Sequence, residues 1–507
     1  MENNTDTDFI VIGSGIAGLF VALKLSDAGK VVIFTKNSMR DCSTNIAQGG
    51  IAVPIAPNDS KEMHIKDTLL VGAGLCNEKA VRVLVEEGVE RVEELISLGV
   101  IFDKNASGEI DLGREAAHSL NRILHSGDST GQAIHEVLIK NVKNKKNISI
   151  VENTKIVSLI SKDGCCFGVI TEKGQPCYSK ATVIATGGIG QLYKNTTNPK
   201  GIQGEGIVLA YESGAELIDL EFVQFHPTGF LLPTYKSRML LISEALRGEG
   251  AVLRNVYRHQ FIDGMVARDV LTKAIFYEMK KTKSDHVLLD MSMSDINVRN
   301  RFPNIYRICK EAKVNISKDL IPVAPVAHYF MGGIKTDLNG STNIANLYAV
   351  GESACVGVDG ANRLASNSLL TCLVFAHRVS EHVFQKTTEI TSSSNMRHKV
   401  LKLKKRILSQ GSLSCVPKEI ISNIRNIFWN YVGIVRSKKG LEKALLTLEK
   451  MPECFPYVVM AKLITKAALV REESRGGHFR EDYPVSKDIY DKHFVWSRNH
   501  GCKVYKL

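Results

Sequence analysis

Six residues near the start of this chain constrain its fold more than any others. Gly13 to Gly18 reads GSGIAG, directly after the apolar run DFIVIG from Asp8 to Gly13 and directly before a helix-forming stretch that ends near Ala28. A strand must therefore turn sharply into a helix. Gly13 suits the tight turn, Gly15 lets the backbone approach a pyrophosphate, and Gly18 lets the helix lie close to the strand. The helix N-terminus then offers N–H groups and partial positive charge to the anion. A second apolar strand, Val31 to Thr35, completes a βαβ opening.

A simple nicotinamide site carries Asp or Glu at the end of the second strand, where it holds a ribose. Here the strand ends at Thr35 and Lys36. Two later apolar strands also end in glycine: IATGG at Ile184 to Gly188 and AVGE at Ala349 to Glu352. A long site built in two parts fits FAD better than NAD. AQGG at Ala47 to Gly50 adds consecutive glycines that let a backbone lie flat against a planar ring system. Taken singly, each stretch also fits an ordinary buried strand or loop.

The 507 residues suffice for two or three domains, and 44% hydrophobic with 23% charged residues is a globular composition. The N-terminus MENNTDTD lacks the basic and apolar regions of a secretory signal. No apolar run is long enough to span a membrane. Eleven cysteines without a CxxC support neither a disulfide framework nor a zinc or iron–sulfur site, so reduced thiols in a cytoplasmic protein and no metal are expected. The net charge of +12 is concentrated in late segments such as Arg397 to Arg406. No aromatic-interleaved basic repeat accompanies it, so a nucleic-acid partner is not expected.

The Glu78 to Gly99 segment has helical spacing. Short strands are expected at Ile148 to Glu152, Ile156 to Ser161, Cys166 to Thr171 and Thr182 to Thr186. From Gln224 to His328 glycines, prolines and charges crowd together, which reads as an inserted domain. NLYAVG, Asn346 to Gly351, returns to the first domain. A polar linker is expected at Lys386 to Asn395, and amphipathic helices from Met396 to about Glu473. The expected architecture is α/β. A Rossmann-like FAD-binding domain comprises residues 1–223 and 329–385, an inserted α+β capping domain residues 224–328, and a C-terminal helical domain residues 396–507.

At the level of motifs, the sequence resembles the flavoprotein family of succinate dehydrogenase, fumarate reductase and L-aspartate oxidase. The shared stretches are STNIAQGGIAV from Ser43, EFVQFHPTG from Glu221, SEALRGEG from Ser243, ARD from Ala267, APVAHYFMGG from Ala324 and GANRLASNSLL from Gly360. ESRGGHFREDYP, from Glu473 to Pro484, is similar too. Within the family the resemblance is greatest to the aspartate-oxidizing branch. DTLLVGAGLC from Asp67 and GREAAHSLNRILHSGDSTG from Gly113 carry that pattern. Ser43 stands where succinate dehydrogenases carry a flavin-linking histidine, so the resemblance implies non-covalent FAD. The chain departs from the family at Glu205, where Asp is more usual, and in a short cap segment from Arg254 to Asp263.

The resemblance implies FAD contacts at Gly13, Ser14, Gly15, Ala17, Gly18, Lys36, Ser43, Thr44, Ala47, Gln48, Gly49, Gly50, Gly187, Glu205, Glu352, Ser368 and Leu369. It also implies a hydride taken from a small dicarboxylate. Arg363 suits one carboxylate, because a guanidinium grips it with two parallel hydrogen bonds. His226 and His328, at the hinges of the inserted domain, and Ser243 with Glu244 are the other expected substrate contacts. Arg268 is the expected proton-transferring group. Since arginine is almost always charged, that role needs a relay partner, and the adjacent Asp269 is a candidate for orienting it. Glu115 is the expected contact for a substrate amine.

The implied reaction is oxidation of L-aspartate to iminoaspartate with oxygen or fumarate as acceptor, the first step toward quinolinate and NAD. Quinolinate synthase is a candidate recipient of the product. The flavoprotein subunit of a fumarate reductase or succinate dehydrogenase is the alternative, and Ser43 and Glu115 argue against it. A flavin-binding electron carrier without its own substrate is a third reading, disfavoured by the concentration of His226, Arg268, His328 and Arg363. The sequence leaves the oligomeric state open between monomer and homodimer.

Overall fold

The computed structural model describes residues 7–231, 238–292, 294, 296–389 and 416–506. Its organising layer is a five-stranded parallel sheet. The strand order is Leu347–Ala349, Ala181–Ile184, Phe9–Ile12, Val31–Phe34 and Ile148–Val151. All four pairings are parallel. The central strands read FIVI and ATVI and are buried throughout. That is the pattern of a sheet covered on both faces, where neither side needs polar residues. The helix Ile16–Leu25 is buried at every position but Lys24 and lies against Asn367–Glu389. The strand from the second half of the chain completes the sheet, so residues far apart in sequence meet at its carboxyl end. Ligands of open α/β sheets bind at that end.

The inserted region is built on a second, antiparallel sheet. Its order is Leu240–Leu241, Val223–Phe230, Ile321–Phe330, Val287–Asp290 and Val252–Arg254. The strands that enter and leave this region pair with each other, Gln224 opposite Tyr329 and His226 opposite Val326. The points where the chain enters and leaves the inserted region therefore lie side by side. Register shifts at Gln224/Phe225 and His226/Gly229 re-aim the side chains there. The helix Arg268–Thr282 packs over the entering strand.

The cap also docks onto the first domain. The helix Pro303–Glu311 has no side-chain cap of its own. Asp128 supplies one from the other domain, accepting from Asn304 N at 3.1 Å and Ile305 N at 2.7 Å. A carboxylate at a helix N-terminus satisfies free N–H groups and complements the dipole.

The C-terminal region is helical only in part. Lys418–Tyr431, Lys438–Glu449 and Pro456–Val470 are helices, as the apolar periodicity suggests. Beyond them His493–Ser497 and Gly501–Tyr505 form a hairpin that completes a third sheet by pairing with Leu217–Ile218. The residues HFVWS are all buried, and an open strand edge of the first domain recruits them. Buried ion pairs hold the junction, with Arg471 contacting both Glu221 and Glu473. The expected linker at Lys386 to Asn395 begins inside a helix, which runs to Glu389. Its remainder, the basic run Arg397 to Arg406 and the first expected C-terminal helix residues lie outside the described residues. Among the described residues no helix is long and apolar enough to cross a membrane, no cluster of metal ligands is found, and all ten cysteines are free.

Candidate active site

The glycine turn begins the site. Gly13 has φ +116°, and a Cβ there would lie 2.1 Å from the carbonyl oxygen of Ala185. Only glycine allows both the conformation and the close approach of the two strands. Gly18 does not reach the cleft. A Cβ on it would lie 2.1 Å from Gly13 O, so its part is to let the helix sit on the turn. Thr44 Oγ1 accepts from Ile16 N at 3.0 Å and ties the second glycine loop to the helix start.

A long cleft runs from this turn to the strands that enter and leave the inserted region. Every other residue expected to contact FAD lines it, as do all seven residues expected to meet substrate or carry the chemistry. At the far end, where a nicotinamide enzyme would place its ribose acid, Glu205 sits between Lys36 Nζ at 2.5 Å and Lys155 Nζ at 2.6 Å. Burial alone would raise the Glu205 carboxyl, but the two lysines hold it below its usual value. The cleft walls fit an FAD. Ser43 Oγ, Gln48 Oε1 and Thr186 Oγ1 are buried polar atoms in the cleft lining without a protein partner. They lie on or beside the glycine loops, where a large polar cofactor would satisfy them. Glu352, pushed up to about 7 by burial, accepts from Phe330 N at 3.0 Å next to the third glycine strand.

At the inserted-region end, cationic and neutral donors converge. His226 and His328 face each other with ring centroids 5.2 Å apart. Burial, and then the nearby guanidinium groups and the other imidazole, hold the His226 pKa well below the usual value, so the ring is neutral. Its Nδ1 accepts from Thr228 N at 3.2 Å. The proton must then be on Nε2, which has no protein partner. His226 thus presents one N–H donor without a charge. His328 is likewise held neutral by burial, then by Arg268 and Arg363, and its Nδ1 lies 2.9 Å from Thr197 Oγ1. The Arg363 guanidinium stacks 4.2 Å over the Tyr329 ring, and its Nε has no partner.

Arg268 donates from Nε to Glu244 Oε2 at 2.6 Å and from Nη1 to Gln224 Oε1 at 2.8 Å. Asp269 makes no direct contact with it. That carboxylate accepts instead from Asn362 Nδ2, because it points from the cap helix toward the other domain. Glu244 is the carboxylate that holds Arg268. Its Oε1 accepts from Ala116 N at 3.1 Å and lies 3.3 Å from Arg247 Nη2. Burial would raise its carboxyl, but Arg268 and Arg247 prevail and hold it below the usual range. Ser243 lines the cleft while its Oγ accepts from Ala245 N at 3.2 Å, beside the start of the short helix Ala245–Gly248. Glu115 is pushed the other way, its carboxyl raised by burial and then by Glu244. Ser366 Oγ donates to Glu115 Oε2 at 2.6 Å and accepts from Gly50 N at 3.2 Å. The amine-binding candidate is thereby tied to the glycine loop.

The sequence reading missed Gln224, Arg247, Thr197, Tyr329 and Ser366 as individual site residues. Gln224 had a usable signal. It lies two residues before His226, so it projects from the same face of the strand. Arg247 lies three residues after Glu244, one helical turn along. Nothing local marks Ser366, which has φ +60° despite its side chain.

Comparisons with known proteins agree with this geometry. The family described as FAD binding domain matches residues 8–369, and that described as fumarate reductase flavoprotein C-term matches residues 447–505. A chloroplastic L-aspartate oxidase of Oryza sativa subsp. japonica is 39% identical over 95% of this chain and 82% of its own length. An L-aspartate oxidase of Clostridium perfringens is 45% identical over 73% of this chain and 85% of its own. Among solved structures, a quinol fumarate reductase chain of E. coli superposes with TM-score 0.89 at 25% identity, covering 99% of this chain and 97% of that one. The cofactor is FAD. Serine at position 43 cannot form a histidyl bond to the flavin, so denaturation is expected to release FAD intact. Acid precipitation tests this; yellow colour retained in the washed pellet would show a covalent link. The α/β fold, the glycine loops, the cofactor and the whole-length similarity lead to one assignment: the chain belongs to the L-aspartate oxidase family, within the flavoproteins that share the fumarate reductase and succinate dehydrogenase fold.

Proposed function

We propose that this protein oxidises L-aspartate to iminoaspartate, with oxygen or fumarate as final acceptor, and so begins the route to quinolinate and NAD. The observation that carries this reading is the pairing of two kinds of group in one cleft. Neutral and cationic donors that suit two carboxylates, His226, His328 and Arg363, stand with a buried carboxyl, Glu115, that suits an amine. Quinolinate synthase is the proposed recipient of the product.

Bound FAD supplies the two-electron acceptor. In the oxidation a hydride leaves the carbon that bears the amine and a proton leaves the nitrogen, which balances loss of two hydrogens as the imine forms. Arg363 would grip one carboxylate, and its stacking on Tyr329 keeps the fork oriented. His226 would donate from Nε2 to the other carboxylate, its neutrality leaving a hydrogen bond and no competing charge. Glu115, ionised, would accept from the ammonium. Arg268 stands at the cap side, with Glu244 and Arg247 behind it in an alternating chain of charge. That alternation gives Arg268 a base through which a proton can be replaced. With fumarate, the same residues bind the two carboxylates and Arg268 delivers the proton.

Anaerobic mixing tests the reading. L-Aspartate is expected to bleach the flavin, succinate to leave it oxidised on the same timescale, and fumarate to restore the colour. Bleaching by succinate at the rate of aspartate would refute the assignment of substrate.

A further inference from the structure

Arg268 and Arg363 stand on different domains, yet both donate to one oxygen. Arg268 Nη1 lies 2.8 Å and Arg363 Nη2 3.1 Å from Gln224 Oε1. A glutamine amide has an oxygen on one side and two N–H donors on the other. Turned over, it would set donors against two cations. The other end of the same amide is also engaged. Gln224 Nε2 donates to Asn362 Oδ1 at 2.9 Å and to Arg363 O at 2.8 Å. Asn362 Nδ2 donates in turn to Asp269 Oδ1 at 2.9 Å.

The direction of this chain follows from its end group. A carboxylate has no hydrogen to donate, so Asn362 must turn its NH2 toward Asp269. The Asn362 oxygen then faces Gln224, whose NH2 turns toward it. The Gln224 oxygen is left facing the two guanidinium groups. Gln224 and Asn362 are 1% and 2% exposed, so water is a poor substitute for a missing partner.

We propose that Asp269 is a positioning residue. Through Asn362, and together with the Arg363 carbonyl, it holds the Gln224 amide in place, and so aligns Arg268 with Arg363 across the boundary between cap and FAD-binding domain. It touches neither substrate nor cofactor in this role. Asp269 belongs to the cap helix and Asn362 to the segment carrying Arg363, so the chain forms only when the two domains meet as they do here. The proposal rests on the reading of Arg268 and Arg363 given above.

The test exchanges donor and acceptor. Asn362→Asp sets a second carboxylate against Asp269 and removes the donor between them. Its kcat is expected to fall about 10-fold or more, a size typical of coupled buried neighbours. The Tyr329 ring still supports Arg363, so KM should change by less than about 3-fold. The double variant Asp269→Asn with Asn362→Asp restores a donor–acceptor pair in the opposite sense. The carboxylate at position 362 still offers Gln224 an acceptor, so kcat should return to within about 3-fold of wild type. Aspartate and fumarate rates, Tm and FAD content are measured for all three proteins. A double variant no faster than the single one overturns the proposal. So does a single variant whose KM rises and Tm falls in step with kcat, the mark of a merely structural tie. A wild-type protein that turns over neither aspartate nor fumarate would instead sink the functional reading.

Discussion

Arg268→Lys is expected to lower turnover roughly 100-fold or more, the range found when a positioned acid–base group is lost. The cause is geometry and not charge. Arg268 serves two acceptors at once, Glu244 from Nε and Gln224 from Nη1, and a planar fork reaches both. A lysine ammonium keeps the positive charge, so Glu244 is not left as an unpaired buried carboxylate. It cannot hold both acceptors and present a third donor to substrate. The fall should be largest for fumarate reduction, which takes its proton from that position; aspartate oxidation releases its proton from nitrogen and should fall through lost alignment alone. FAD content should be unchanged, since the glycine loops make no hydrogen bond to Arg268. The measurements are kcat for each reaction and the flavin-to-protein absorbance ratio. Near-normal turnover would remove Arg268 from proton transfer.

Glu115→Gln is expected to separate the two reactions. Aspartate differs from fumarate by an ammonium, and Arg363, His226 and His328 serve carboxylates in both. A hydrogen bond to a charged group contributes about 1.5–3 kcal/mol, so kcat/KM for aspartate should fall about 10- to 150-fold. Fumarate reduction should change only a few-fold. Glutamine keeps the shape and can still accept from Ser366, so the loop that carries position 115 should hold. A pH profile gives a second readout. Burial and Glu244 raise the Glu115 carboxyl, so its charge is gained at higher pH than for an ordinary glutamate. As pH rises through that raised value, wild-type kcat/KM for aspartate should rise with the ionised fraction; as pH falls it is lost. The Gln variant should lack this limb. Equal losses for the two substrates would leave Glu115 with no part in choosing aspartate.

Much of the site was legible because its motifs are local. GSGIAG and IATGG announce strand-to-loop turns and AQGG a glycine loop, and the cleft is lined by residues of all three. The change of texture near Gln224 and His328 was legible, and His226 and His328 lie on the paired strands that enter and leave the second sheet. The partners of those residues were not legible. Asp269 is the neighbour of Arg268 in sequence, yet Glu244 holds it. Ser366 and Glu115 lie in different motifs and meet only beside the glycine loop. The C-terminal strands were read as part of a helical domain because five-residue apolar runs carry little periodic signal.

The two levels divide on range. Where the backbone itself decides, neighbouring residues suffice. Gly13 must be glycine because its φ is +116° and Ala185 leaves no room for a Cβ, and strand–glycine–helix spacing alone predicts that turn. Apolar strands such as FIVI likewise select a sheet covered on both faces. Where buried polar groups decide, the chain far away matters. Asp128 caps a cap-domain helix, Gln224 joins two arginines, and HFVWS pairs with Leu217–Ile218 only because folding brings those atoms within hydrogen-bond reach. A buried donor or acceptor must find a partner, and which partner it finds depends on the convergence of segments that exert no influence on each other in the unfolded chain.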